Sequence, residues 1–189
     1  MIPIHVMPDT PTQAFLDALQ QQGFAGEIDT SAAQRAVYAT DNSIYERPPQ
    51  AIVCPKHVAD LQVLTRLLAE ERFRGVVVTA RGGGTGTNGQ SLTEGIVVDV
   101  SRHMNHILSI DVAKRQVRVQ AGVVKDQLNR ALKPHGLFFA PELSTSNRAT
   151  IGGMVNTDAS GQGSCTYGKT RDHVLALKTV LWGGEVLES

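Results

Sequence analysis

The feature that most constrains this chain is a glycine-rich segment between two apolar runs. The segment RGGGTGTNGQ (81–90) holds five glycines within eight residues. The flanking runs GVVVTA (75–80) and GIVVDVS (95–101) predict strands because β-branched residues dominate them. Each glycine costs conformational entropy that a simple turn does not offset. Because glycines also let successive backbone N–H groups converge on an anion, the segment predicts a phosphate-binding loop rather than a plain turn.

Two common phosphate-binding motifs match the letters of this segment but not its surroundings. GTGTNG (84–89) has the spacing of a dinucleotide-binding loop, yet only QSLTE (90–94) separates it from the next strand, which leaves no room for the required helix. The segment also approaches a P-loop, but Gln90 occupies the lysine position. Both motifs are therefore disfavoured. Within the segment, Thr85 and Thr87 add hydroxyl donors, and Arg81 can either brace the loop or neutralise a ligand's charge.

Hydrophobic periodicity outlines the rest of the chain as a mixture of helices and strands. AIVCP (51–55) reads as a buried strand and KHVADLQVLTRLLAEERF (56–73) as an amphipathic helix, so residues 51–80 form a predicted βαβ unit. Helices are also predicted in TQAFLDALQQQGF (12–24, ending at Gly23) and VVKDQLNRALKPHG (123–136, ending at Pro134 and Gly136). Strand pairs are predicted in 105–122, around a turn at 111–114, and in 173–189, around Gly183 and Gly184. The predicted fold class is α+β, without regular α/β alternation.

Composition excludes several classes of function. The 189 residues carry no net charge and no Lys/Arg cluster, which disfavours nucleic acid and anionic membranes as partners. No apolar window approaches the ~18 residues of a membrane span. Cys54 and Cys165 lie far apart outside any CxxC pair, so free thiols in a reducing, cytoplasmic compartment are expected. His103 and His106 lack a third ligand, and no metal site is expected.

A second unusual stretch, APELSTSNRATIGGMVNTDASGQGSCTYGKT (140–170), has little charge, many small residues and no helical face. Together with RGGGTGTNGQ it resembles the FAD-binding domain of the vanillyl-alcohol oxidase and p-cresol methylhydroxylase family. The likeness is closer to the FAD-linked oxidases of D-2-hydroxy acids, of the D-lactate and D-2-hydroxyglutarate dehydrogenase type. TDNSIYERPPQAIVCPKHVADLQ (40–62) is similar to the opening of that domain, so the resemblance covers residues 38–189.

The resemblance implies a two-lobed domain of the p-cresol methylhydroxylase type, with FAD between the lobes. Residues 1–37 would be a helical extension, 38–121 the first lobe and 122–189 the start of the second lobe. The remainder of that lobe would be truncated, since the chain stops on the second strand of a hairpin. An end of this kind predicts a fragment of a longer protein.

The resemblance also implies which residues hold FAD. The pyrophosphate loop would be Arg81, Gly82, Gly83, Gly84, Thr85, Gly86, Thr87, Asn88 and Gly89. In the second stretch, Pro141, Glu142, Ser144 and Ser146 would lie next to the flavin and its phosphates. Thr150, Gly152 and Gly153 would begin a short helix whose free N–H groups suit a phosphate. Asn156, Ser160 and Gly161 would pass the isoalloxazine ring, followed by Tyr167 and Gly168.

Structural alternatives stand beside three of these assignments. Ser144 to Ser146 could form a helix cap and no more. Tyr167 could be a core residue with a satisfied hydroxyl, and Asp158 could face solvent. Thr85 departs from the family members that bind flavin covalently, which carry a histidine there, so non-covalent FAD is expected.

The activity implied by the resemblance is oxidation of a D-2-hydroxy acid, with hydride transfer to flavin N5. The small-molecule substrate would be bound by a domain missing from this chain, and in the longest relatives an iron–sulfur domain takes the electrons onward. No catalytic residue is assigned, so the chain alone is expected to be inactive. Two alternatives stay open: the FAD domain of another enzyme, such as the NADPH-dependent reductase of a cell-wall precursor, and a stand-alone flavin- or nucleotide-binding module without catalysis.

Overall fold

The computed structural model describes residues 8–189, which fall into two compact units. Among the described residues, unit 1 comprises residues 8–81, 86–99 and 176–189. Unit 2 comprises residues 82–85 and 100–175. Residues 1–7 of the predicted N-terminal extension lie outside the described residues.

Unit 1 is built on a four-stranded sheet with the order β1-β2-β4-β3. Its strands are β1 (Glu27–Asp29), β2 (Ala51–Cys54), β3 (Val78–Arg81) and β4 (Ile96–Asp99). Both β2 and β3 run parallel to β4, whereas β1 is antiparallel to β2. The βαβ unit predicted over residues 51–80 is therefore present, with β4 inserted between its two strands.

Helices cover both faces of this sheet. They are α1 (Thr10–Gln21), α2 (Ala32–Tyr38) and α3 (Val58–Leu68), and a 3₁₀ turn follows at Glu71–Phe73. On one face, α1 and α3 pack Phe15, Leu19 and Leu67 against Val53 and Ile96. On the other face, Ile52 and Val97 pack with Tyr38 of α2. Every residue of β2 and β4 is consequently buried, as expected for parallel strands covered on both sides.

Unit 2 is built around an antiparallel hairpin and one amphipathic helix. The hairpin is β5 (Ile107–Asp111) and β6 (Gln116–Val119), and α4 (Lys125–Leu132) lays Leu128 and Leu132 on it. Two short helices follow, α5 (Ile151–Asn156) and α6 (Ser164–Tyr167), with 3₁₀ turns at Lys133–His135 and Thr170–His173. The chain then returns to unit 1 as the hairpin of β7 (Lys178–Val180) and β8 (Val186–Glu188).

Most predicted elements are confirmed, with shorter bounds. Gly23, Gly136, Gly183 and Gly184 all have positive φ angles at the predicted helix ends and hairpin turn. One boundary was wrong: Val76 and Val77 were predicted in a strand, but β3 begins at Val78. The amide of Val76 donates to the carbonyl of Phe73 in a turn instead.

Candidate cofactor site

The first half of the glycine-rich segment, residues 82–85, belongs to unit 2 and packs on residues 148–150. A Cβ atom at Gly82 would lie 2.1 Å from the Thr150 hydroxyl oxygen, and one at Gly83 would lie 2.0 Å from the Arg148 carbonyl oxygen. Gly84 has a φ of +59°, in the left-handed region. These glycines are thus required first for backbone contact and conformation within the protein itself.

This part of the loop also presents unused donors. The amides of Gly83, Gly84 and Thr85 make no hydrogen bond to any acceptor within residues 8–189. Consecutive backbone N–H groups without protein acceptors suit an anion such as a pyrophosphate. The residues present therefore fit the phosphate-binding role predicted for the loop.

The second half of the segment, residues 86–90, belongs to unit 1 and is stabilised by its own side chains. The Gln90 side-chain oxygen accepts a hydrogen bond from the amide of Asn88 at 3.1 Å. Gly89 has a φ of +72°, and a Cβ atom there would lie 2.9 Å from the Tyr45 ring. Gln90, at the position of a P-loop lysine, thus folds back on its own loop.

Arg81 braces the protein rather than projecting freely toward a ligand. Its guanidinium donates to the carbonyl oxygens of Thr40 at 2.8 Å and Tyr38 at 3.4 Å, and it lies over the Tyr38 ring at 5.2 Å. The Tyr38 hydroxyl in turn donates to Asp99, the residue paired with Arg81 across β3 and β4. Of the two predicted roles of Arg81, the geometry favours bracing.

Asp41, which the sequence analysis did not single out, stabilises the loop that follows α2. Its carboxylate accepts hydrogen bonds from the Ser43 amide at 2.8 Å and the Ser91 hydroxyl at 2.9 Å. Burial acts to raise the pKa of Asp41, but the Ser43 and Ser91 hydrogen bonds and the charge of Arg81 outweigh it and lower that pKa. The Asp-x-Ser spacing of a side-chain-to-backbone turn was the available signal in the sequence.

The short helix α5 begins where predicted, but its first N–H groups are already used. Thr150 is the N-cap, and its hydroxyl accepts from the amide of Gly153 at 3.3 Å. The amides of Ile151 and Gly152 donate at 2.8 Å to the carbonyls of Val123 and Ala121. The expectation of free N–H groups for a phosphate at this helix was therefore wrong. Tertiary contacts, which the local sequence does not reveal, take up these donors.

Ser144 and Ser146 do not cap a helix, since the cap of α5 is Thr150. Residues 143–149 form turns in which the Ser146 amide donates to the Leu143 carbonyl at 3.2 Å. Neither serine hydroxyl makes a hydrogen bond within the described part of the chain. Both hydroxyls are therefore available to a ligand.

The segment after α5 is fixed by charged and hydroxyl side chains. Asp158 has a φ of +45°, and its carboxylate accepts from the Arg171 amide at 3.1 Å and pairs with the Arg171 guanidinium and, at 3.9 Å, Lys169. Burial acts to raise the pKa of Asp158, but Arg171 and Lys169 outweigh it and lower that pKa. The side chain of Asp158 is 27% exposed, so it does face solvent in part, as the alternative proposed, while its carboxylate also connects residue 158 to residues 169 and 171.

Two close backbone approaches complete this segment. A Cβ atom at Gly161 would lie 1.9 Å from the Glu142 carbonyl oxygen, so the backbone at residue 161 lies directly against that at residue 142. Thr170, fully buried, donates from its hydroxyl and its amide to the Ala159 carbonyl at 2.7 and 3.1 Å.

Tyr167 lies on the surface, and the alternative that it is a core residue was wrong. Its side chain is half exposed and meets Phe138 edge-on, with 5.8 Å between ring centroids. Gly168 is in the left-handed region at φ +79°, and a Cβ atom there would lie 2.6 Å from the Asp172 carboxylate. The His173 Nε2 atom lies 2.7 Å from the Tyr167 carbonyl oxygen, which gives His173 a structural role.

Other types of site are lacking from the part of the chain that the structure describes. No cluster of three His, Cys, Asp or Glu side chains within residues 8–189 could hold a metal ion. Cys54 is a buried thiol and Cys165 an exposed one. None of the described helices has the length and apolar character needed to cross a bilayer.

Comparison with known protein families matches residues 49–189 to the FAD binding domain. The chain belongs to this family. FAD is therefore its cofactor, as the resemblance implied, and the loop amides at residues 83–85 and the serine hydroxyls at 144 and 146 are donors that suit it.

Relatives of known activity are much longer than this chain. It is 67% identical over 97% of its length to a D-2-hydroxyglutarate dehydrogenase of Pseudomonas putida, and 60% identical over 93% to one of Escherichia coli. A glycolate oxidase subunit GlcD of Bacillus subtilis is 35% identical over 86% of the chain. The chain spans 18% of the Pseudomonas protein and 34% of the Bacillus protein.

Solved structures confirm the fold class. An alkyldihydroxyacetonephosphate synthase superposes on 99% of the chain with a TM-score of 0.84 at 23% identity. The superposed part is 40% of the length of the synthase. 6-Hydroxy-D-nicotine oxidase of Arthrobacter nicotinovorans superposes on 89% of the chain with a TM-score of 0.76 at 23% identity, over 36% of its own length. The predicted α+β fold of the p-cresol methylhydroxylase type is thus confirmed.

Proposed function

We propose that this chain is the FAD-binding part of a flavin-dependent dehydrogenase that oxidises a D-2-hydroxy acid, with D-2-hydroxyglutarate as the substrate. The observation that carries the proposal is the 67% identity to the Pseudomonas putida enzyme over 97% of the chain. The 35% identity to a glycolate oxidase subunit supports the broader class of 2-hydroxy acids and ranks glycolate below D-2-hydroxyglutarate.

The role of this chain is to bind and orient the cofactor. The amides of Gly83, Gly84 and Thr85 would donate to the pyrophosphate, and the hydroxyls of Ser144 and Ser146 would add neutral donors. The remaining residues that the resemblance implies have two roles. Arg81, Thr150, Gly152 and Gly153, whose polar groups are already bonded within the protein, would position the site. The others would complete the contacts: Gly82, Gly86, Thr87, Asn88, Gly89, Pro141, Glu142, Asn156, Ser160, Gly161, Tyr167 and Gly168. When bound, FAD supplies the acceptor for the substrate's hydride, at flavin N5.

Small side chains give the segment from Asn156 to Gly161 a role in orientation. The Asp158 ion pairs and the Thr170 hydrogen bonds fix its backbone before any ligand arrives. A segment that is already fixed loses little freedom when a planar ring packs against it, which favours affinity and a single ring orientation.

FAD titration of the 189-residue chain, followed by flavin fluorescence, tests this role. The double change Ser144→Ala and Ser146→Ala should raise the dissociation constant at least about tenfold, since each lost hydrogen bond to a charged group costs roughly 1.5–3 kcal/mol. The exposed Ser109→Ala, in β5 of the same unit, is the matched control and should change nothing. Gly83→Val is a less specific test, because its side chain would clash with the Arg148 carbonyl and so disturb the fold as well as the binding of FAD. Unchanged FAD affinity in the double variant would contradict the assignment of these hydroxyls.

Thr85 predicts that FAD is held without a covalent bond. A threonine hydroxyl does not take the place of the histidine that other family members join to the flavin. Acid precipitation of FAD-loaded protein should leave all the yellow colour in the supernatant. Colour retained in the pellet would exclude non-covalent attachment.

Dye reduction by D-2-hydroxyglutarate, D-lactate and glycolate tests whether these residues alone carry the activity. The full-length Pseudomonas putida relative serves as the reference. We expect no turnover from the 189-residue chain, because a base for the hydroxyl proton and cations for the carboxylates are needed as well as FAD. Turnover within about tenfold of the reference would place the whole active site inside these residues.

A further inference from the structure

Lys125, the first residue of α4, has a largely buried side chain, and its ammonium keeps contact with solvent but has no counter-ion among the described residues. Only 7% of its surface is exposed, and it lies on the same helix face as Leu128 and Leu132. Its ammonium makes no hydrogen bond or ion pair with any group in residues 8–189. The neighbouring Asp126 forms no ion pair with it either.

Three physical effects oppose a lysine at this place. Because most of the Lys125 side chain is out of water, its charge is less well hydrated than that of a surface lysine, which is unfavourable unless the charge is paired. The first turn of a helix carries a partial positive charge, which repels a cation. An ordered lysine also gives up more rotamer freedom than most residues. Together they predict that a partner for Lys125 comes from outside the described chain and is an anion.

The backbone around Lys125 joins it to the phosphate-binding region. The Lys125 amide donates to the Ala149 carbonyl at 3.0 Å, and the Asp126 amide donates to the Ser146 carbonyl at 3.1 Å. Val124 forms a β-bridge with Thr150. The same residues, 148–150, are those against which Gly82 and Gly83 pack. Lys125, the free amides of residues 83–85 and the free hydroxyl of Ser146 therefore border one segment of unit 2.

We infer that the Lys125 ammonium binds a phosphate oxygen of FAD and supplies a positive charge to a region whose other donors are neutral. This inference rests on the proposed cofactor role of the chain. It also explains how the glycine-rich segment could bind a phosphate without a P-loop lysine. Gln90 is hydrogen-bonded within its own loop, and Arg81 donates to the carbonyls of residues 38 and 40. The positive charge for the phosphate would come from Lys125 on α4 instead.

The test is a comparison of Lys125→Met with the unaltered chain, titrated with FAD, FMN and riboflavin. Met keeps the length and apolar stem of the side chain and removes its charge. We expect FAD affinity to fall about tenfold to hundredfold, as for a lost charge-assisted hydrogen bond, and riboflavin affinity to stay the same. Lys133→Met, exposed just beyond the end of the same helix, is the matched control and should bind FAD like the unaltered chain.

Thermal unfolding separates a ligand-binding role from a structural one. Without ligand, the Lys125→Met variant should melt at or above the temperature of the unaltered chain, because methionine keeps the buried apolar stem and no ion pair is lost. Inorganic pyrophosphate should raise the melting temperature of the unaltered chain and raise that of the variant less. A structural lysine would instead give a lower melting temperature without ligand and an equal pyrophosphate effect.

The outcomes distinguish this inference from the proposal beneath it. Equal FAD affinity in the variant and the unaltered chain would overturn the role of Lys125 alone. An equal loss of riboflavin affinity would overturn it too, and would place the lysine at the ring. Weakened stabilisation by D-2-hydroxyglutarate with unchanged FAD affinity would assign Lys125 to a substrate carboxylate instead. If the unaltered chain bound neither FAD nor pyrophosphate, both the cofactor role and this inference would fall.

Discussion

The central strands of unit 1 and the stretch from residue 140 to 170 in unit 2 are stabilised in different ways. In β2 and β4 every residue is buried, and helices cover both faces. In residues 140–170 the buried apolar side chains are Pro141, Ala149 and Met154. Contacts between backbone atoms, such as Gly161 against Glu142, and hydroxyl-to-carbonyl bonds, such as Thr170 to Ala159, replace apolar packing there.

The difference shows how a chain keeps polar groups available for a ligand. A packed apolar core leaves no room for a planar, charged cofactor, because interiors fill to the density of a crystal. Small residues let the backbone come close and leave groups such as the Ser144 and Ser146 hydroxyls without protein partners. The predictions below test each half of this contrast, beginning with the largest effect.

Leu67→Ala should give the largest loss of stability. Leu67 is 1% exposed in the core beneath the sheet of unit 1, and deletion of such a side chain costs about 2–5 kcal/mol. Urea unfolding would measure the loss, with hydrogen exchange of β4 amides to localise it. Val37→Ala, on the exposed side of α2, should change stability by less than about 0.5 kcal/mol. A loss below about 1 kcal/mol at Leu67 would contradict the apolar account of unit 1.

Gly161→Ala tests the backbone account of unit 2 with a single added methyl group. The new Cβ atom would overlap the Glu142 carbonyl, which is backbone and has little freedom to move, so we expect a loss of about 1–3 kcal/mol. Gly75→Ala is the matched control, since its Cβ atom would meet nothing within 4 Å. If thermal unfolding showed the two variants to be equally stable, close backbone approach would not be what holds residues 142 and 161 together.

Much of unit 1 is predictable from sequence because its signals are local. The unbroken apolar run of β2, the stripe of α3 and the positive-φ glycine after α1 each follow from residues next to one another. The three-residue β1 was missed because Glu27 and Asp29 are polar and its pairing with β2 is a tertiary event. Helix α2 was also missed, although Ser31 accepts a hydrogen bond from Gln34, which gives the Ser-x-x-Gln start of a capping box.

The candidate site is less predictable, because its donors depend on distant partners. The resemblance correctly placed Thr150 and Gly152 at the start of a helix. However, the first N–H groups of that helix donate to the carbonyls of Ala121 and Val123, so they are not free for a phosphate. Lys125 looks like an ordinary surface residue in VVKDQLNRALKPHG, and only its burial distinguishes it. Whether a polar group is free or paired is a property of the folded chain, which no local pattern encodes.

Thr170→Val removes one hydroxyl from the polar half of the contrast and keeps the volume of the side chain. Thr170 is fully buried, and its hydroxyl bond to Ala159 is 2.7 Å long, so we expect a loss of about 1 kcal/mol. The hydrogen bond from the backbone N–H of Thr170 to the same carbonyl remains, which limits the loss of stability. Thr166→Val, exposed on α6, is the control. If Thr170→Val were as stable as the unaltered chain, the hydroxyl hydrogen bond would add nothing to the stability that the backbone N–H hydrogen bond already provides.

Asp41→Asn should give the smallest effect, visible chiefly as a change in pH dependence. The pKa of Asp41 is lower in the folded chain than its ordinary value of about 3.9, because the Ser43 and Ser91 hydrogen bonds and the charge of Arg81 outweigh burial. The carboxylate therefore stabilises the fold above about pH 4, and that contribution is lost as the pH falls through the folded pKa. Asparagine cannot titrate, so melting temperatures measured from pH 7 to pH 3 should fall less steeply for Asp41→Asn.

The control for this change is Glu46→Gln, exposed on the same loop, which removes a carboxylate without a hydrogen-bond partner among the described residues and should leave the melting temperature at pH 7 unchanged. Asp41 connects the loop after α2 to Ser91 through a hydrogen bond. If the melting temperature depended less on pH in Asp41→Asn alone, polar side chains would be shown to stabilise part of unit 1 as well as unit 2. The part of unit 1 next to the glycine-rich segment would then depend on the hydrogen bonds among Asp41, Ser43 and Ser91, even though the unit has an apolar core. Parallel curves for Asp41→Asn and the unaltered chain would show that this network contributes no pH-dependent stability, and would leave apolar packing as the main support of unit 1.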